Sequence, residues 1–119
     1  MSPVPGELAI GPLQEDIWRF WDRHRTSPVY TMPEVFHYDG DFDVQAAEFA
    51  FNAMIRRHEA LRTVFRETDA GVVQVVQDPD AQPVELLDLR ASAEDVRQRE
   101  LQAAIDAVSV RPFDLETGP

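Results

Sequence analysis

The sequence predicts one small layered domain, an α+β or α/β sandwich in which helices cover a sheet. Three observations predict it. Helical periodicity recurs at residues 12–25, 44–58 and about 92–109. Two β-branched runs flank the Gly-containing link Thr68-Asp69-Ala70-Gly71. The order α, β, α, β-hairpin, β, α interleaves the two element types within 119 residues, too few for a second core.

Residues 1–10 read as a short tail containing Pro3, Pro5 and Gly6. Gly11 suits an N-cap and Pro12 the first helical position, where a missing N–H costs nothing. Leu13, Ile17, Phe20, Trp21 and His24 follow at helical spacing, and Thr26-Ser27-Pro28 ends the helix. Tyr30 to Tyr38, aromatic and β-branched, reads as a strand, and Asp39-Gly40-Asp41 as a turn. Asp43 is placed to cap the helix 44–58. Its polar positions Gln45, Glu48, Asn52, Arg56 and Glu59 form one narrow stripe, so the pattern predicts burial over most of its circumference.

Leu61 to Glu67 alternates, with Leu61, Thr63 and Phe65 on one face and Arg62, Val64 and Arg66 on the other. Val72 to Gln77 completes the hairpin, Asp78-Pro79-Asp80 ends it, and Val84 to Leu87 reads as a further short strand. Ser92 with Asp95 resembles a capping box for the last helix, which stops before Pro112. Arg111 to Pro119 is turn-rich.

Composition removes several function classes. The absence of Cys excludes disulfide frameworks and thiol chemistry. A net charge of −11 disfavours nucleic acid and anionic membrane surfaces as partners. Residues 1–66 carry 10 acids and 7 Arg, residues 67–119 carry 12 acids and 4 Arg, so most of the excess lies in the second half. No apolar run reaches the ~18 residues of a membrane span. Met1 to Gly6 does not open a signal peptide, and the expected location is cytoplasmic.

Few residues present themselves for chemistry. His24 and His37 lack a placed partner and read as partly buried, satisfied histidines. Arg56, Arg57 and His58 close the 44–58 helix, where cations meet the negative end of the dipole. No HExxH, phosphate loop or GxSxG elbow occurs. Asp39, Asp41 and Asp43 lack the Glu that a calcium loop needs at its twelfth position, so a turn and an N-cap explain them and no metal is expected. Arg62 either lies on a solvated face or is buried. A buried Arg needs a carboxylate from another element.

The run Arg57-His58-Glu59-Ala60-Leu61-Arg62-Thr63-Val64-Phe65 resembles the RHExLRTxF motif of condensation domains of non-ribosomal peptide synthetases, with every fixed position matching. Ile10 to Gln14 with Ile17-Trp18 resembles the family's SxAQ…LW motif. Gln14 and Trp18 match, while Gly11 departs from Ser and Leu13 from Ala. Arg111 to Pro119 is similar to the RPFDLxxGP stretch.

The resemblance implies a chloramphenicol-acetyltransferase-like fold with two α/β lobes around a tunnel, of which residues 1–119 would be the N-terminal portion. It implies amide formation between a carrier-bound acyl or peptidyl donor and an aminoacyl acceptor. No cofactor is expected to bind directly; phosphopantetheine arms of partner carrier proteins would bring the substrates, alongside other synthetase domains. The family's HHxxxDG motif, whose second His acts on the amine or on the tetrahedral intermediate, does not occur in these residues. No catalytic residue is therefore expected here, and the chain alone is expected not to catalyse condensation.

By resemblance, Arg57 and Arg62 support the active-site region structurally, Arg62 toward the Asp of HHxxxDG. Gln14 and Trp18 order the first helix. Glu59 is a further motif position, and His58 packs or caps. Epimerisation, heterocyclisation and ester-forming domains share these motifs, as do inactive condensation-like recruitment domains. A partial lobe is also expected to expose a sheet edge and the apolar sides of helix 44–58.

Overall fold

The computed structural model describes residues 6–118; readings made on residues 1–5 and on Pro119 lie outside them. The elements are β1 (Glu7–Ala9), α1 (Pro12–Arg23), α2 (Val44–Arg57), a 3-10 turn (Glu59–Arg62), β2 (Thr63–Thr68), β3 (Gly71–Val76) and α3 (Glu94–Ser109). The three strands form one antiparallel sheet in the order β1-β3-β2, with Leu8 opposite Gln74 and Val64 opposite Val75.

The hairpin forms as its pattern predicts, and its left-handed backbone falls on Gly71 at φ +118°. That conformation is open to glycine without steric cost. Thr68 Oγ1 accepts from the Ala70 amide at 3.2 Å and donates to the Gly71 carbonyl at 2.7 Å, closing the turn. The reading of residues 1–10 as a tail is corrected at Glu7–Ala9. Three residues are too few to show a period, yet the backbone groups of β3 give them a ladder to join.

Two of the three predicted helix starts are found with the caps read for them. Pro12 opens α1 behind the N-cap Gly11, whose amide donates to Gln14 Oε1 at 2.9 Å. Asp43 Oδ1 accepts from the Ala46 amide at 3.0 Å and caps α2. The capping box at Ser92 does not form. The N-cap of α3 is Ala93, Ser92 turns toward Glu100, and the acids Glu94 and Asp95 face the positive end of the helix dipole.

Two expected strands, Tyr30 to Tyr38 and Val84 to Leu87, join no ladder, and Tyr30 lies in a turn closed by the Thr31 amide on the Pro28 carbonyl at 2.8 Å. β propensity measures fit to a neighbouring strand, and neither segment is paired with one. The alternation read from Leu61 is also corrected. Leu61 and Arg62 belong to the 3-10 turn, closed by the Leu61 amide on the His58 carbonyl at 3.0 Å, and the strand begins at Thr63.

The core is small: among the described residues, Trp18, Trp21, Ile55 and Val64 are its buried apolar members. α2 buries only Ile55, and Phe49 is 71% exposed, so burial over most of its circumference is corrected for these residues. The apolar sides of α2 face outward, as expected of a partial lobe. α3 buries no residue. The radius of gyration is 18.0 Å, against about 13.5 Å for a compact domain of this length, and the molecule extends over 61 × 30 × 18 Å.

Candidate functional site

The family-like motif residues converge on two places. The first is the junction of α2, the 3-10 turn and β2. In a 3-10 turn, side chains at i and i+3 eclipse. Arg62 therefore stands over Glu59, with Nη2 3.7 Å from its carboxylate. Its side chain is 18% exposed, and Nη1 donates to the Gln77 carbonyl at 2.5 Å. Nε is buried and has no partner among the described residues. Among the described residues, the partners of the Arg62 guanidinium are a backbone carbonyl and a carboxylate of its own turn. Glu59 also fastens the strand start, its carbonyl accepting from Thr63 Oγ1 at 2.8 Å.

Arg57 is exposed and forms no ion pair among the described residues, whereas the Arg62 side chain is 18% exposed. His58 is exposed. Its amide donates to the Met54 carbonyl at 2.9 Å, which makes it the C-cap of α2 through its backbone.

The second place is the contact of α1 with the sheet and the segment 111–118. Gln14 Nε2 donates to Gln74 Oε1 at 3.1 Å, and Gln74 Nε2 to the Ala9 carbonyl at 2.8 Å, which ties α1 to β3 and β1. Trp18 lies with its ring centroid 4.9 Å from Trp21 and 6.1 Å from Phe65 of β2. Trp21 Nε1 donates to the Phe113 carbonyl at 2.8 Å. The Arg25 guanidinium stacks 4.4 Å over Trp21 and pairs with Glu116 at 3.0 Å and Asp22 at 2.8 Å. The Phe65 amide donates to the Leu115 carbonyl at 2.8 Å, so segment 111–118 runs against the outer edge of β2. Gly118, at φ +86°, passes so close to Val64 that a Cβ there would meet Cγ1 at 3.1 Å.

Asp114 shapes this segment. Its Oδ1 accepts from the amides of Glu116 at 2.9 Å and Thr117 at 3.3 Å. The hydrogen bond from Glu116, then that from Thr117, holds the carboxyl below the ordinary carboxylate range. Because the folded value is depressed, the stability it contributes is present above the unfolded value near 3.9 and is lost as pH falls through the folded value. An NMR titration should show Asp114 with a midpoint below that of an exposed Asp. A midpoint at or above 3.9 would remove the turn's electrostatic support.

The remaining candidates are accounted for locally. His37 is exposed, not partly buried, and its Nε2 lies 3.0 Å from Asp39 Oδ1. His24 is exposed at the end of α1, its ring centroid 4.7 Å from that of Phe20 at a tilt of 42°. Both are corrections to the expected burial, since neither lies beneath a second layer. Among the described residues, no group of three His, Asp or Glu side chains is arranged to hold a metal ion. No helix of the described residues is long and apolar enough to cross a membrane. A cleft of about 460 Å³ between α2 and segment 111–118 is lined in part by Phe51, Ile55, Leu61, Phe113 and Leu115. The arrangement is a scaffold that orients backbone and one guanidinium.

Sequence reasoning gave no site role to Asn52, Trp21, Arg25 or Asp114. Asn52 was readable only as a polar residue on the stripe of α2. Its partner, the backbone of Gln82, lies thirty residues on and leaves no local pattern.

Comparison with known proteins follows the same lines. The condensation-domain family model matches residues 4–119. The chain is 39% identical over 117 residues to chondramide synthase cmdD of Chondromyces crocatus, covering 98% of this chain and 3% of that protein. It is 36% identical over 122 residues to a linear gramicidin synthase of Brevibacillus parabrevis, covering 100% of this chain and 2% of that protein. It superposes on the starter condensation domain of rhizomide synthetase RzmA, in a variant bound to C8-CoA and Leu-SNAC. The TM-score is 0.76 at 27% identity, over 97% of this chain and 26% of that one. The chain thus spans a few per cent of these synthetases and about a quarter of the solved domain. With the three motifs seated at the α1–sheet contact, the 3-10 turn and segment 111–118, and the family match running through all of them, the chain belongs to the condensation-domain family, with a partial chloramphenicol-acetyltransferase-like fold.

Proposed function

We propose that this chain is the N-terminal portion of a condensation domain that forms an amide bond in non-ribosomal peptide biosynthesis. A carrier-bound acyl or peptidyl donor is attacked by the amine of an aminoacyl acceptor. The observation that carries the reading is the family match over residues 4–119, with 39% identity to a peptide synthetase over 98% of the chain. In this reading the domain binds no cofactor directly. Its partners are carrier proteins bearing phosphopantetheine arms and neighbouring synthetase domains, in the cytoplasm. The described residues supply support: Arg62 and Arg57 for the reaction centre, Gln14 and Trp18 for α1, and His58 and Glu59 for the turn that leads into β2. The buried, unpartnered Nε of Arg62 favours that role, because such a donor calls for an acceptor from a further element.

The test is a condensation assay with donor-loaded and acceptor-loaded carrier proteins, read by mass spectrometry of the released product. The complete domain carrying this chain should give the amide, and residues 1–119 alone should give none. Turnover by residues 1–119 alone would overturn the reading, as would an intact domain that engages both carriers and yields only epimerised substrate or ester.

A further inference from the structure

We propose that Asn52 is a positioning residue for Arg62, acting through segment 77–82; this rests on the reading of Arg62 as a support of the reaction centre. The segment is fastened at two points. At its far end, the Asn52 carboxamide pairs with the Gln82 backbone in both directions: Nδ2 donates to the carbonyl at 2.9 Å, and Oδ1 accepts from the amide at 2.8 Å. A neighbouring strand would offer the same pair of bonds, so one side chain of α2 does the work of a ladder. Nδ2 is itself oriented by the Glu48 carbonyl at 3.0 Å, one turn back.

At its near end, the Gln77 amide donates to the Arg62 carbonyl at 2.9 Å, and the Gln77 carbonyl accepts from Arg62 Nη1 at 2.5 Å. The four residues between contain Pro79, whose ring fixes φ, and Asp80, whose carboxylate accepts from the Ala81 amide at 2.9 Å. The bridge is short and stiff, and it closes over a space of only about 40 Å³ lined in part by Ile55, Arg62, Val64 and Gln77. Displacement at Gln82 therefore reaches the Gln77 carbonyl, the closest acceptor of the guanidinium. Asn52 and Arg62 lie ten apart in sequence, and no direct contact between them is needed.

The experiment is a double-mutant cycle in the complete domain carrying this chain. Residues sharing one hydrogen-bond network couple strongly enough to change a rate about tenfold. Asn52→Ala should lower kcat about tenfold with the acceptor KM unchanged. In an Arg62→Lys background it should lower kcat no further. Amide exchange should lose protection at Gln77 as well as Gln82 in Asn52→Ala. Additive losses of kcat, or exchange that rises at Gln82 alone, would overturn the proposal. If Asn52→Ala does not fold, Asn52→Ser is read in the same way. A wild-type domain inactive in condensation would sink the functional reading, while exchange at Gln77 and Gln82 would still decide the coupling.

Discussion

Trp18→Ala is expected to destabilise the domain by about 3–5 kcal/mol. Trp18 is 4% exposed and is one of four buried apolar residues among those described. It meets Trp21 on its own helix and Phe65 on β2, so its indole is where α1 is held to the sheet. Truncation removes the transfer energy of the ring and leaves a cavity between elements with few other contacts to close it. The loss is a large fraction of the roughly 5–15 kcal/mol typical of a domain. It should show as a lowered denaturation midpoint with unchanged slope, and as faster exchange of the Phe65 amide, because the 111–118 segment hangs on the neighbouring Trp21. A loss under about 1 kcal/mol would mean that α1 is held elsewhere.

Arg62→Ala in the complete domain is expected to cost about 1.5–3 kcal/mol of stability and to lower the condensation rate as well. The stability cost comes from the charge-assisted bond to the Gln77 carbonyl, which tethers the end of the hairpin to the 3-10 turn. The ion pair with Glu59 adds little, since Glu59 is 67% exposed and the separation is 3.7 Å. Wild-type melting temperature with only the rate lost would contradict the structural role. Loss of stability at wild-type rate would contradict the role at the reaction centre.

The parts of this chain that local chemistry decides were legible in the sequence. Pro12 at the first helical position, Asp43 before Val44, and two β-branched runs around Gly71 each specify an element without help from distant residues. The RHExLRTxF-like run marked the candidate junction of α2, the 3-10 turn and β2 in the same way, because it is contiguous. Its geometry was not legible. An alternating pattern from Leu61 cannot show that a 3-10 turn takes the first residues, a choice made by the Leu61 amide reaching the His58 carbonyl.

Partnership across the chain was likewise invisible. Tyr30 to Tyr38 has the composition of a strand and no ladder, whereas Glu7–Ala9 has little strand character and is paired. The sequence by itself determined the family, the three helices and the hairpin, because these rest on contiguous residues and short-range hydrogen bonds. Only the tertiary structure decided which segments become strands, which face of α2 is covered, and what Arg62 touches. Those outcomes depend on donors, acceptors and apolar surfaces that meet from tens of residues apart, as Asn52 meets Gln82 and Trp21 meets Phe113.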